Sequence, residues 1–304
     1  MNPVPGQRPA WVDADLFPFA SRFVTLGGHT VHYVDEGDGP VLLMLHGNPV
    51  WSFVYRQVIA ELRHDFRCVA LDYPGFGLST AAPGYSFLPA EHATVVARFI
   101  DELALSDITL VVNDWGGPIG LSVAGGQPDR FSRLVIGNTW AWPVTGDPHF
   151  EWFARLMGGP LGRLLIARFN LFVNVLVPKG HARRRLPASE LNHYRAPFPT
   201  PASRRPTSVF PRQITHARDW LAGVERGLDR LTGHPVLLLW GDRDIAFRAT
   251  ERERFVSHFP AATTVPLPGA GHFVASDAPA EVVDAIRAWH PHTAAQAHRR
   301  YGGA

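Results

Sequence analysis

Short apolar, β-branched runs alternate with segments of helical periodicity along most of this chain, and that alternation leaves few folds open. "RFVTL" and "HTVHYVDEG" (22–37) read as a hairpin turning at Gly27 and Gly28. "VLLML" (41–45), "RCVALD" (67–72), "ITLVVN" (108–113) and "RLVIGN" (133–138) read as strands too continuously apolar to have a wet face. "PVLLLW" (235–240) and "TTVPL" (263–267) add two more. "SFVYRQVIAELR", "PAEHATVVARFIDELAL", "TERERFVSHF" and "APAEVVDAIRAWH" carry apolar residues at helical spacing between or after these runs. Strand–helix alternation of this kind predicts an α/β fold with a mostly parallel central sheet and helices on both faces.

One stretch breaks the rhythm. Residues 141–230 contain no clear strand but many aromatics, prolines and arginines, and read as a helical cap inserted between the sixth and seventh strands. The expected division is therefore core (1–140), cap (141–230) and core again (231–304), with a frayed tail "HTAAQAHRRYGGA". A cap is expected over the carboxyl ends of the strands, where open α/β sheets bind ligands.

Composition excludes several classes. Of 304 residues, 46% are hydrophobic and 18% charged, as in a folded protein rather than a disordered one. The net charge of +2 and the absence of a basic run interleaved with aromatics argue against nucleic acid, and "HARRR" (181–185) reads as a solvated face. Cys68, the one cysteine, lies in an apolar run and reads as a buried thiol in a reducing compartment. "MNPVPGQRPAWVDADLFPF" lacks the charged start and apolar core of a secretory signal, and no apolar run reaches the roughly 20 residues of a membrane span. A soluble, cytoplasmic protein without membrane contact is the expectation.

Four loops at predicted strand ends carry polar residues in a telling order: "HGNP" (46–49), "DWGG" (114–117), "GDRD" (241–244) and "GAGHF" (269–273). Each is modest alone, since an Asp before a helix is often only a cap. Together they place Asp114 at a strand–turn–helix elbow, then Asp244, then His272, the nucleophile–acid–histidine order of the α/β-hydrolases with Asp in the serine's place. Asp244 fits the acid's spacing, while Asp242 reads as a turn cap. A carboxylate is already ionised, is favoured at a helix N-terminus, and displaces leaving groups from sp3 carbon. The departing anion then needs help. Trp115 offers an indole N–H and Asn48 an amide NH2, neutral donors suited to an apolar pocket.

With "DYPGFGLS", "YRAPFP" and "FPRQI" added, the chain from about Arg22 to Trp289 resembles the haloalkane dehalogenases. Asn48 in "HGNP" combined with Trp115 in "DWGG" is the specific part. The resemblance implies hydrolysis of a haloalkane through an alkyl ester on Asp114, with Asn48 and Trp115 holding the halide. It implies further that His272 activates the water and that Asp244 orients His272. Backbone N–H groups of Trp115 and Asn48 would meet the oxyanion. The sixth strand ends in Asn138 with no carboxylate, which matches the subgroup whose acid follows the seventh strand. Phe150, Trp152, Phe153, Phe169, Phe172 and Leu176 are candidates to line an apolar pocket, and by resemblance Pro211 lies near the halide. The implied partners are a small halogenated alkane, water and a halide ion. No metal or nucleotide motif is present, so no cofactor is expected.

Three other readings use the same residues. An epoxide hydrolase needs two lid tyrosines, whereas the cap holds only Tyr194, and it usually has an aromatic where Asn48 stands. A cofactor-independent oxygenase resembling the marine luciferases shares the whole constellation, and the motifs leave it open. A ligand receptor on a dead hydrolase conflicts with the intact Asp–His–Asp set.

Overall fold

The computed structural model describes residues 7–291, and the predicted frayed tail falls outside them. Eight strands in that span form one sheet: β1 (Arg22–Leu26), β2 (His29–Glu36), β3 (Val41–Leu45), β4 (Arg67–Leu71), β5 (Ile108–Asn113), β6 (Phe131–Gly137), β7 (Val236–Gly241) and β8 (Thr263–Leu267). Their order is β1-β2-β4-β3-β5-β6-β7-β8. β1 and β2 pair antiparallel, β2 joins β4 antiparallel, and every other pair is parallel.

The sequence dictates these places. β5 and β7 are buried at every position, so both faces are covered, as a central parallel strand requires. β8 is largely exposed and carries Pro266, tolerable only where a ladder donor can be lost at an edge. Gly27 and Gly28, both at positive φ, close the two-residue hairpin between β1 and β2.

Helices α1 (Arg56–Leu62), α2 (Pro89–Glu102) and α3 (Gly116–Gly126) follow β3, β4 and β5. Between β6 and β7 the chain forms no strand but a series of helices joined by loops: α4 (Pro148–Gly158), α5 (Pro160–Phe169), α6 (Val177–Lys179), α7 (Ala188–Arg195), α8 (Arg205–His216) and α9 (Arg218–Leu228). The core closes with α10 (Ala249–His258), α11 (Val274–Asp277) and α12 (Pro279–Trp289). α1 packs with α12, and α2 and α9 pack with α3. α9 thus joins the layer beside the sheet, its Gly227 meeting Gly125 so closely that a methyl group on Gly125 would lie 2.9 Å from the Gly227 carbonyl. α4 and α8 pack against each other. Cys68 is fully buried in β4, and burial pushes its thiol pKa up, which keeps it a core thiol. Among the described residues no single helix is long and apolar enough to cross a membrane.

Candidate active site

Asp114 has a φ of 51°, in the left-handed region that residues with a side chain seldom enter. It stands between β5 and α3, on the turn that lifts a side chain above the carboxyl edge of the sheet. The turn is held on several sides. Its N–H donates to the Asn138 carbonyl at 3.0 Å, and its carbonyl accepts from Gly117 N–H at 2.9 Å and the Thr139 hydroxyl at 2.5 Å. The Asn113 amide donates to the carbonyls of Gly137, Asn138 and His272 at 3.0–3.1 Å, tying three strand ends together.

The loop after β3 comes close because residue 47 has no side chain: a methyl group on Gly47 would lie 2.2 Å from Asp114 Oδ1. In that space the Asn48 N–H donates to Oδ1 at 2.6 Å. The other oxygen, Oδ2, lies 3.5 Å from His272 Nε2. His272 Nδ1 faces Asp244 at 3.0 and 3.2 Å. Asp244, its side chain wholly buried, also accepts from the Asn138 amide at 2.6 Å and from Ala246 N–H at 2.7 Å. Asp242 instead accepts from Gly269 N–H at 2.6 Å, linking the loop after β7 to the loop after β8 rather than capping its own turn. Burial opposes charge on His272, but the Asp244 and Asp114 carboxylates outweigh it and raise its pKa to about 10.

Above these groups is a cavity of about 330 Å³ whose lining is mostly apolar. Asp114, His272, Asn48 and Trp115 reach it, as do Phe153, Phe172 and Pro211 from the helical insertion. Asp244 stands behind His272. The Trp115 indole packs on Trp140 and Phe210 at 4.6 and 5.0 Å, and its N–H has no hydrogen-bond partner among the described residues. The Asn48 amide makes one long contact, 3.4 Å to the Thr207 carbonyl.

Two of the broader pocket candidates do not reach it. Trp152 and Phe169 are 66% and 61% exposed, while Phe150 and Leu176 do line the cavity. α4 is apolar on two faces, so spacing alone did not show which face turns inward. Sequence reasoning missed Trp140, Ile214, Phe247 and Phe273 in the lining, and the Asn138 amide behind Asp244. A signal existed for most of these, since Asn138, Trp140, Phe247 and Phe273 lie in the same strand-end loops as the residues that were found. Tyr194, the one tyrosine between β6 and β7, is fully buried edge-on to Phe53 at 5.2 Å and does not reach the cavity.

Residues 40–279 match the family model for the alpha/beta hydrolase fold. Over 277 residues the chain is 44% identical to haloalkane dehalogenase 2 of Mycobacterium tuberculosis, covering 90% of this chain and 96% of that protein. The chain belongs to the haloalkane dehalogenase family. Haloalkane dehalogenases also share its shape: the crystal structure of the enzyme from Bradyrhizobium elkani superposes with a TM-score of 0.82 at 26% identity, over 91% of this chain and 99% of that one. The chain is also 31% identical to the cis-3-alkyl-4-alkyloxetan-2-one decarboxylase of Shewanella oneidensis, over 90% of this chain and 88% of that protein.

Proposed function

We propose that this protein hydrolyses haloalkanes to an alcohol and a halide ion through an alkyl ester on Asp114. The observation that carries the proposal is the setting of the carboxylate. Asp114 opens into an apolar cavity beside His272 and two neutral donors, Asn48 and Trp115. Asp114 Oδ2 attacks the halogen-bearing carbon while Oδ1 stays on the Asn48 backbone N–H. The carbon–halogen bond breaks as the carbon–oxygen bond forms. The leaving halide collects the indole N–H of Trp115 and the side-chain amide of Asn48. Donors of this kind act where charge appears in the transition state and need no reorganisation. Being neutral, they also let the ion go.

Ester formation removes the negative charge of Asp114, one of the groups holding a proton on His272. The imidazole pKa then falls, its Nε2 gives up its proton, and it becomes a base for water. Water attacks the ester carbon, the negative charge grows on the oxygen held by Asn48 N–H, and collapse returns Asp114 and the alcohol. Asp244, fixed by Asn138 and Ala246, keeps Nδ1 protonated and Nε2 facing the ester. The helices of residues 141–230 serve as the cap that closes the cavity, and the buried Tyr194 leaves no acid there for opening an epoxide. The test is ion chromatography of bromide after incubation with a panel of terminal bromoalkanes, an epoxide and an alkyl-oxetan-2-one, without added metal or nucleotide. Bromide release is the expected result. Turnover of the epoxide or the oxetanone with no bromide released would overturn the proposal.

A further inference from the structure

Only one of the chain's 29 lysines and arginines is a lysine, and that residue, Lys179, lines the candidate active-site cavity. It closes α6, is exposed, and carries no ion pair or side-chain hydrogen bond among the described residues. Nothing nearby in the chain competes for its charge, since residues 152–189 contain no Asp or Glu. Around it the lining is apolar: Phe153, Leu156, Met157, Phe172 and Leu176. Leu156, itself half exposed, marks the side where the cavity meets solvent.

Lys179 is also held in place. The next residue, Gly180, accepts from the Phe273 N–H at 3.3 Å. Gly271 lies so close that a methyl group on it would be 2.4 Å from the Gly180 carbonyl. The Asp277 carboxylate takes the N–H groups of Ala182 and Gly271 at 2.9 and 2.7 Å, pinning the same two loops. The backbone next to Lys179 is therefore tied to the loop that carries His272, so the stem of the side chain starts from a set place beside the cavity while the ammonium swings in solvent at its mouth.

We propose that Lys179 is a substrate-recognition residue, and that the preferred substrates are haloalkanes bearing a carboxylate at the end away from the carbon–halogen bond. This rests on the dehalogenase reading of the same cavity. The halogenated end enters toward Asp114, the methylene chain covers the apolar lining, and the carboxylate stays hydrated at the mouth against the ammonium. A lone, compact cation suits a carboxylate, and its four-carbon stem follows an apolar wall while its head remains in water. An ion pair at a wet mouth gives a modest preference, roughly three- to fivefold in KM.

The experiment compares a homologous series of ω-bromoalkanoates with their methyl esters, read as bromide release. At the lengths that fit best, the carboxylates should have KM values about three- to fivefold below those of the esters. That ratio should fall to about one in Lys179→Met and persist in Lys179→Arg. Equal or poorer handling of the carboxylates by the native chain, or a ratio that survives Lys179→Met, overturns the proposal. If no bromide appears from either series, the dehalogenase reading fails, and binding alone decides the subsite. Unbrominated alkanoates and their methyl esters are then titrated by the change in intrinsic tryptophan fluorescence, to which Trp115 and Trp140 in the cavity wall contribute. Tighter binding of the alkanoate, lost in Lys179→Met, supports the subsite, and equal binding overturns it.

Discussion

Trp115 and Asn48 both line the cavity beside Asp114, and in the proposed reaction each offers a neutral N–H to the leaving anion. The indole of Trp115 is packed between Trp140 and Phe210 and has no competing acceptor among the described residues. Trp115→Phe and Asn48→Ala should each slow carbon–bromine cleavage by about 100-fold or more, since one such donor is worth about 3 kcal/mol. Rapid-quench measurement of the first turnover checks this, and unchanged cleavage in both variants would remove their halide-binding role. These residues were legible because strand ends are where the chain must expose polar groups, so motif and place coincided. Asn138 was legible only as a missing carboxylate. That its amide secures Asp244 depends on the spacing between β6 and β7, which no local pattern encodes.

At the scale of elements, the site depends on how closely β3 and β5 deliver their loops. β3 pairs with β5 in parallel register, with Leu45 opposite Val112, so "HGNP" and "DWGG" emerge side by side. Gly47 is what lets them touch. Gly47→Ala would drive a methyl group into the Asp114 carboxylate, costing about 1–3 kcal/mol of stability as overpacking does. The displaced carboxylate should attack carbon about 100-fold more slowly, the usual penalty for an ångström of misplacement. Thermal denaturation and first-turnover cleavage read the two effects. A variant with native melting and native cleavage would show that the close approach is unimportant. The strands were readable in the sequence because buried parallel strands are continuous apolar runs. The inward face of the insertion was not. Along α4, Phe153 turns to the cavity and Trp152 to solvent, a choice set by packing on α8, where a methyl group on Gly158 would meet Arg212 Cα at 2.8 Å.

For the whole molecule, residues from four distant parts of the chain meet at one cavity, and the proposed reaction divides its two steps between Asp114 and His272. If Asp114 attacks carbon directly, His272 is needed to hydrolyse the ester but not to form it. In Asp114→Ala neither step should occur. In Asp244→Ala, where His272 loses the carboxylate on its Nδ1, turnover should fall and ester accumulate. The decisive case is His272→Phe, treated with a bromoalkane and followed by bromide release and intact-protein mass spectrometry. It should release about one bromide per active site and then stop, with the protein gaining the mass of the alkyl group and peptide mapping placing it on Asp114. No burst and no adduct, or an adduct on another carboxylate, would contradict that division of steps.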